Sequence, residues 1–300
     1  MSEAGEPSAC VTHRAGVAAL LGPPNAGKST LLNRVLGQKL AITSAKPQTT
    51  RSRILGISNV PGAQVIWLDT PGRHEGTRPL NHALNDAVEE AARDCDLGLL
   101  LVDPFVGWSS VHEELLSILN QRGVPAFGIA TKSDGAGRAV SWPREIEGKL
   151  TERLRLSART GEGIPELLRA VADRLPLSPP LYPEDVLTDR PVRWLAAELV
   201  REAAFEELKE ELPYSIAVEV VTFDESRPDR VHIEANILVL RDSQKRIVVG
   251  RGGEVVKRIS MAARRGVEDL VGLPVGLRLF VKIDRDWLRK PRRLASLGYR

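Results

Sequence analysis

The sequence predicts two consecutive domains, the first an α/β domain with a mostly parallel sheet and helices on both faces. Three observations support this fold class. An apolar strand at residues 17–21 runs into a glycine-rich loop and a helix, apolar strands alternate with helices as far as residue 175, and the C-terminal fifth is strongly basic. Such alternation is typical of doubly wound sheets, which bind ligands at the carboxyl ends of their strands.

The bulk composition is that of an ordinary globular protein, with 300 residues, 42% hydrophobic and 27% charged. That length favours two domains. Cys10 and Cys95 fit neither a disulfide framework nor a metal motif, so we expect free thiols in a reducing cytosol. Residues 1–15 lack the apolar core of a signal peptide and are predicted to be disordered. No apolar run reaches the length of a membrane span.

Charge is distributed unevenly along the chain. Residues 241–300 contain 16 Lys and Arg but only 6 Asp and Glu. The whole chain has 42 Lys and Arg and 39 Asp and Glu, so the other 240 residues contain 26 basic and 33 acidic residues. A basic segment at the end of a near-neutral chain indicates a module that binds a polyanion. The alternative is a solvated basic tail, and a recognisable binding motif in this segment is needed to favour the module over the tail.

The glycine-rich loop at residues 22–29 fits G-x-x-x-x-G-K-[ST] in full, with a strand before it and a helix to Gly37 after it. Glycines let backbone N–H groups turn inward and the helix N-terminus adds partial positive charge, so this pattern predicts a triphosphate site. We expect Lys28 to reach the outer phosphates and Ser29 to ligate Mg²⁺. The predicted phosphate-binding residues in the loop are Gly22, Pro23, Pro24, Asn25, Ala26, Gly27, Lys28, Ser29 and Thr30.

A second set of residues follows a predicted hairpin. Residues 39–51 are polar and aperiodic, which predicts a loop, and residues 53–57 and 64–69 form two strands around a Pro-Gly turn. The second strand ends at Asp69, where an acidic residue beside a phosphate loop is placed to hold Mg²⁺. Three residues later, Gly72 can turn its N–H towards a terminal phosphate.

The rest of the first domain continues the alternation. Predicted helices cover residues 79–93, 111–122 and 164–175, and predicted strands cover residues 97–103, 125–130 and 154–156. Each polar motif of this domain follows the end of a strand.

The second domain begins after a Pro-rich linker at residues 176–190. Its elements are a helix at residues 191–212, strands at 214–220, 231–237 and 277–283, and a helix at 254–263 after the loop 250–253. We place the domains at residues 16–175 and 191–300.

The five segments GPPNAGKST, QTTR, DTPG, TKSD and SAR, in this order, resemble the signature motifs of Ras-like GTPases related to translation factors. The resemblance implies a P-loop GTPase domain in which the Asp134 carboxylate pairs with guanine and the Lys132 stem packs along the base. Thr131 replaces the family's Asn, which implies weaker base affinity or weaker tethering of the phosphate loop. The implied guanine-binding residues are Thr131, Lys132, Asp134, Ser157 and Ala158.

The same resemblance assigns the metal site and the switch regions. Mg²⁺ falls to Ser29, Asp69 and Thr50, with Thr49 left open as an alternative to Thr50. Arg73 occupies the position of the water-orienting Gln of Ras-like enzymes, so we expect slow intrinsic hydrolysis and an exposed Arg73 on a mobile loop. Asn25 resembles a residue that some relatives use with a monovalent cation such as K⁺. The implied switch residues are Gln48, Thr49, Thr50, Arg51, Asp69, Thr70, Pro71, Gly72 and Arg73.

The second domain resembles a type II KH domain, an α+β fold whose GxxG loop clamps about four nucleotides of single-stranded RNA. Here that loop reads GRGG, with Arg251 in place of a frequent Lys. The implied RNA-binding residues are Lys245, Arg246, Gly250, Arg251, Gly252, Gly253, Lys257 and Arg258.

The combination of these motifs over residues 16–300 resembles the Era family of GTPases. That resemblance implies a monomeric, cytoplasmic GTPase that uses Mg²⁺, binds GTP and GDP, and binds the 3′ end of 16S ribosomal RNA during assembly of the 30S subunit. Two alternatives stay open: an RNA-binding scaffold gated by nucleotide with negligible hydrolysis, and a cell-cycle regulator peripheral to the cell membrane. In the segment after Trp287, basic residues replace the family's acidic ones.

Overall fold

The computed structural model describes residues 12–44, 46, 50, 53–73, 79–135 and 140–298. Its first sheet contains the six strands β1 (Arg14–Leu21), β2 (Ile54–Val60), β3 (Ala63–Asp69), β4 (Leu97–Val102), β5 (Ala126–Ala130) and β6 (Glu152–Arg155). They lie in the order β2-β3-β1-β4-β5-β6 and are parallel except for β2, which pairs antiparallel with β3. The predicted fold class of this domain is confirmed. Strand β1 begins two residues before the predicted domain start.

Helices cover both faces of this sheet. They are α1 (Lys28–Leu36), α2 (Pro79–Asp94), α3 (Ser110–Gln121) and α4 (Ile164–Arg174). Leu31 of α1 and Leu167 of α4 share one core with Leu20 and Leu99, whereas α2 and α3 pack on the opposite face. Because side chains alternate along a strand, apolar runs such as β4 fill both cores at once.

The second sheet has the order β7-β8-β9, with β7 (Ala217–Asp224) antiparallel and β9 (Val275–Ile283) parallel to β8 (Val231–Val239). Three helices cover one face, and part of the other face packs against Trp287 and Leu297 of the C-terminal segment. The helices of this domain are α5 (Val192–Glu207), α6 (Asp242–Val249), α7 (Glu254–Val271) and the C-terminal α8 (Pro291–Ser296).

Several boundaries of the second domain were predicted wrongly. Helix α5 ends at Glu207 rather than at residue 212, and strand β7 begins three residues late because Pro213–Ser215 form a 3-10 turn. Helix α7 continues to Val271, eight residues beyond its predicted end. Glu210, with φ of 54°, lies in a turn that the helical pattern of its neighbours does not reveal.

The Pro-rich linker is fastened to the first domain along the edge strand β2 and strand β3. The buried Gln64 side chain accepts hydrogen bonds from the N–H groups of Leu181 (2.8 Å) and Tyr182 (2.9 Å), and its amide donates to Tyr182 O (2.8 Å). Further along, Ile57 N–H donates to Leu187 O at 2.8 Å. The linker therefore covers an edge that would otherwise present unpaired backbone groups.

The loop after α1 contacts helix α5 of the second domain. Lys39 pairs with Glu202 at 2.6 Å, and Thr43 N–H donates to the same carboxylate at 3.0 Å. The Lys46 ammonium donates to the main-chain oxygens of Phe205, Glu206 (3.2 Å) and Leu208 (2.9 Å). These are carbonyls that a helix C-terminus leaves unpaired, so Lys46 caps α5 from the other domain.

None of the described helices combines the length and the apolar character that a membrane-spanning segment needs. Cys95 is a buried free thiol whose pKa burial raises to about 12, and Cys10 lies outside the described residues.

Candidate functional site

The loop between β1 and α1 forms a cradle of backbone groups, as its glycines predict. Gly22 and Gly27 have φ of 142° and 97°, and Asn25 is also left-handed at 61°. A Cβ atom at Gly22 would lie 2.8 Å from Leu101 O, so a side chain there would displace the loop. Lys28 is buried, and its ammonium donates to Gly22 O (3.0 Å) and Pro23 O (2.7 Å).

Burial shifts both charged groups at the base of this cradle. Desolvation lowers the pKa of Lys28 to about 8, partly offset by the attraction of Asp69. Desolvation likewise raises the pKa of Asp69 to about 6, against the effects of its bond from Ser29 and of the Lys28 charge. Two groups whose charged forms are both destabilised by burial indicate a site built for a charged ligand.

Three oxygen-bearing side chains converge beside Lys28. Ser29 Oγ lies 2.6 Å from Asp69 Oδ2 and 2.9 Å from Thr50 Oγ1, although Thr50 is 21 residues away in sequence. The other carboxylate oxygen, Asp69 Oδ1, is buried and has no hydrogen-bond partner among the described residues. Hydroxyl and carboxylate oxygens are the ligands that Mg²⁺ prefers, and an unpaired buried oxygen suits a hydrated cation. The residues present therefore fit the predicted metal. Thr49 lies outside the described residues, as do Gln48 and Arg51.

The cradle opens into a cavity of about 560 Å³. Gly72 approaches it closely, since a Cβ atom there would lie 2.6 Å from Pro24 N and 2.7 Å from Pro24 Cα. Pro71 is buried beside it, and Thr70 Oγ1 donates to Leu20 O at 2.7 Å, which fixes the start of this segment. The described residues that line the cavity are Pro24, Asn25, Gly27, Lys28, Ser29, Thr30, Ile42, Thr43, Ser44, Thr50, Gly72 and Lys132.

A second cavity of about 440 Å³ adjoins the first at the ends of β5 and β6. Asp134 accepts a hydrogen bond from Ser157 Oγ (2.6 Å) and pairs with Arg159 (2.7 Å). The bond from Ser157 is the main cause that holds the pKa of Asp134 below its usual value, so the carboxylate is ionised at neutral pH. The described lining residues are Gly27, Thr30, Phe105, Thr131, Lys132, Asp134, Gly135, Ala158 and Arg159.

Thr131 stands where the family has Asn, and its side chain still tethers the phosphate loop. Its side chain is buried, and the hydroxyl lies 2.9 Å from Ala26 O and 3.2 Å from Val102 O. A hydroxyl therefore joins the guanine motif to the phosphate loop, although it offers one donor where an amide offers two.

Several residues that hold the lining of these cavities in place were not predicted from the sequence. Asp103 pairs with Lys132 at 2.6 Å, and its other oxygen accepts the N–H of Phe105 at 2.9 Å. Arg34 of α1 donates to Ala158 O at 2.5 Å and so supports the far wall. Asp103 directly follows strand β4, and this position at a strand end could have identified it.

The expectation that the Arg73 side chain is solvent-exposed was wrong. Its side chain is 19% exposed and pairs with Glu114 of α3 (Nε to Oε2, 2.9 Å) and Glu89 of α2 (Nη1 to Oε1, 3.1 Å). Two nearby carboxylates on neighbouring helices account for this placement.

The GRGG loop lies between α6 and α7, at the junction of two helix ends. Gly250, Gly252 and Gly253 have φ of 75°, 59° and 82°, which only glycine adopts readily. Of the basic residues predicted around the loop, Arg258 pairs with Glu207 at 2.6 Å, near the end of α5. The others, all with exposed side chains, are Lys245, Arg246, Arg251 and Lys257.

Two family models match the chain, each over one domain. A 50S ribosome-binding GTPase model matches residues 17–132, and a KH domain model matches residues 211–288. The residues between the two matches, 133–210, contain β6, α4, the linker and helix α5.

Curated relatives match over nearly their whole length. The GTPase Era of Geobacter metallireducens is 42% identical over 291 residues, which cover 95% of this chain and 98% of the relative. That of Azotobacter vinelandii is 41% identical, covering 96% and 97%, and that of Lactobacillus delbrueckii subsp. bulgaricus is 39% identical, covering 96% of both.

Two solved structures are similar throughout. A complex of Era with MgGDPNP and nucleotides 1506–1542 of 16S ribosomal RNA has a TM-score of 0.87 and 36% identity, covering 96% of this chain and 99% of that one. A single-residue variant of Aquifex aeolicus Era bound to GDP and AlF4⁻ also has a TM-score of 0.87, with 37% identity and coverage of 95% and 99%.

Proposed function

The chain belongs to the GTPase Era family, and on that premise we propose that it is a GTP-hydrolysing switch that binds the 3′ end of 16S ribosomal RNA and assists assembly of the 30S subunit. The chain is a GTPase with an RNA-binding KH domain. The relative of known structure holds both MgGDPNP and a fragment of that RNA.

One observation carries the switch proposal. The loop that brings Thr50 to Ser29 and Asp69 also brings Thr43 and Lys46 to helix α5 of the KH domain. A change at the metal site therefore has a short covalent path to an interdomain contact. This arrangement supports coupling between the bound nucleotide and the position of the RNA-binding domain.

The residues of the first domain have distinct roles in the proposed reaction. Lys28 and the loop amides neutralise the phosphate oxygens, and the ionised Asp134 accepts hydrogen bonds from the guanine edge. Ser29, Thr50 and Asp69 would hold Mg²⁺, which when bound neutralises charge on the β- and γ-phosphate oxygens. Gly72 lies against Pro24, and its N–H is the proposed donor to the outer phosphate.

In the second domain, the proposed RNA contacts are Arg251, Lys245, Arg246 and Lys257, whose exposed charges surround the glycine loop. Arg258 acts differently, since its pair with Glu207 joins α7 to the end of α5. We assign nucleotide binding to residues 16–175 and RNA binding to residues 191–300.

The nucleotide assignment is tested with Lys28→Ala. Loss of the buried ammonium should abolish GTP binding and hydrolysis, while Lys39→Ala, which lies outside the cradle, should leave both nearly unchanged. Hydrolysis by the Lys28 variant at the wild-type rate would refute the assignment.

We propose a cytoplasmic location, and pelleting with anionic liposomes tests the alternative of peripheral membrane association. We also propose a monovalent cation beside the phosphate loop, with Asn25 of the cavity lining as one of its ligands. Hydrolysis measured in K⁺ and in Na⁺ at equal ionic strength, with Asn25→Ala as control, tests that role.

A further inference from the structure

Arg73 directly follows Gly72, whose backbone lies against Pro24 of the phosphate loop. Gly72 leaves no room for a Cβ atom against Pro24, so the backbone at Arg73 begins beside the predicted γ-phosphate position. The side chain turns instead towards α2 and α3, where it pairs with Glu89 and Glu114. Arg73 is not among the described residues that line the phosphate cavity.

The two ion pairs hold Arg73 only weakly. Glu114 is 55% exposed and Glu89 is 30% exposed, so water can solvate either carboxylate when the arginine leaves. Glu89 also has a second partner, Arg93, at 3.1 Å. Ion pairs whose carboxylates stay accessible to water each bias an equilibrium by only about fivefold. Breaking both ion pairs to release the Arg73 side chain therefore has a small free-energy cost.

The possible gain in hydrolysis rate is much larger than the equilibrium bias that the two ion pairs impose. Among the described residues that line the phosphate cavity, the cationic side chains are Lys28 and Lys132, and Lys132 is paired with Asp103. An arginine that reaches the transferring phosphoryl group accelerates related hydrolases about 10³- to 10⁵-fold.

We propose that Arg73 is an arginine finger supplied in cis and held in reserve by Glu89 and Glu114. When released, its guanidinium donates to the γ-phosphate oxygens in the transition state. The attacking water oxygen bonds to the γ-phosphorus as the bond from phosphorus to the bridging oxygen breaks. GDP leaves with the electron pair, the water proton passes to the phosphate, and Arg73 stays protonated throughout. The proposal rests on GTP hydrolysis at this site.

Single-turnover hydrolysis of GTP by the full-length protein tests the proposal. Arg73→Ala should lower the rate at least tenfold, with GTP affinity changed less than about threefold, because the resting side chain does not line the cavity. The double variant Glu89→Gln/Glu114→Gln should raise the rate about three- to tenfold by freeing Arg73. Adding Arg73→Ala to the double variant should abolish this rise. Arg93→Gln is the matched control, since it removes the other partner of Glu89 and should not raise the rate.

A purely structural Arg73 would give a different pattern. The double variant would then match or lower the wild-type rate, and any rise would persist in the Arg73→Ala background; either result overturns the proposal. If Arg73→Ala perturbs folding, affinity for GDP with AlF4⁻ is compared with affinity for a non-hydrolysable GTP analogue. A finger requires that the variant weaken the first selectively, and equal weakening refutes it. A wild-type protein that fails to hydrolyse GTP would refute the proposed function instead, and this inference with it.

Discussion

Replacing Lys46 by Met should loosen the contact between the two domains while keeping the apolar stem of the side chain. Lys46 is the described residue that donates to three main-chain oxygens at the end of α5, and its ammonium lies 5.8 Å from the centre of the Phe205 ring. After the substitution these carbonyls depend on water, and the negative end of the helix dipole loses its counter-charge.

The expected cost follows from the kinds of interaction lost. A cation at a partly buried helix C-terminus contributes about 0.3–2 kcal/mol, and hydrogen bonds from a charged donor contribute about 1.5–3 kcal/mol before water replaces them. We therefore expect the docked state to lose roughly 1–2 kcal/mol, which corresponds to about a five- to thirtyfold change in an equilibrium constant.

Amide hydrogen exchange measured by mass spectrometry reads this change locally. Peptides that contain the C-terminal turn of α5 and the loop after α1 should both exchange about five- to thirtyfold faster in Lys46→Met. Lys39→Met is the matched control, because the Lys39 side chain is half exposed and its pair with Glu202 is worth under about 1 kcal/mol. Equal exchange in the two variants, or acceleration confined to one side of the contact, would refute the reasoning.

Three other predictions concern the nucleotide site and the linker. Because burial raises the pKa of Asp69 to about 6, the ionised carboxylate destabilises the nucleotide-free fold, so Asp69→Asn should be more stable than wild type at neutral pH by up to about 3 kcal/mol. As the pH falls, Asp69 takes up its proton at a higher pH in the folded wild type than in the unfolded chain. The denaturation midpoints of wild type and Asp69→Asn should therefore converge between about pH 7 and pH 4, and a difference between them that stays constant would contradict the raised pKa of Asp69. Thr131→Val removes the hydroxyl that tethers Ala26 O and should weaken GTP binding about tenfold in titration calorimetry; unchanged affinity would show that the tether is dispensable. Gln64→Leu leaves the linker N–H groups without their acceptor and should lower stability by about 1–3 kcal/mol in urea titrations, a loss that Gln121→Leu on the surface should not reproduce.

The sequence predicted the first domain well where the deciding interactions are local. The phosphate loop, helix α1 and the β2–β3 hairpin depend on glycines, on apolar periodicity and on a turn within a few residues, all readable from the chain. Asp69 is the last residue of β3 and Asp134 follows β5, and the sheet topology brings the carboxyl ends of these strands to one edge.

Errors appeared where a distant residue decides the outcome. Helix α5 ends early, with its last carbonyls capped by Lys46, which lies some 160 positions away in the chain. Arg73 is held by Glu89 and Glu114 on two different helices, and no local pattern reports such a pair. The attachment of the linker depends on Gln64, a polar residue within a strand whose partners appear only after folding.

Binding of a labelled RNA that carries the 3′-end segment of 16S ribosomal RNA tests the central claim most directly. Fluorescence anisotropy is measured over a range of salt concentrations with GDP and with a non-hydrolysable GTP analogue, for wild type, Arg251→Glu and a surface control, Arg169→Glu, on the first domain. We predict nucleotide-dependent binding by wild type and control, at least tenfold weaker binding by Arg251→Glu, and a salt slope reduced by about one for the lost phosphate contact. The account would be contradicted by equal RNA affinity and equal salt dependence for Arg251→Glu and Arg169→Glu, or by wild-type RNA binding that is the same with GDP and with the GTP analogue.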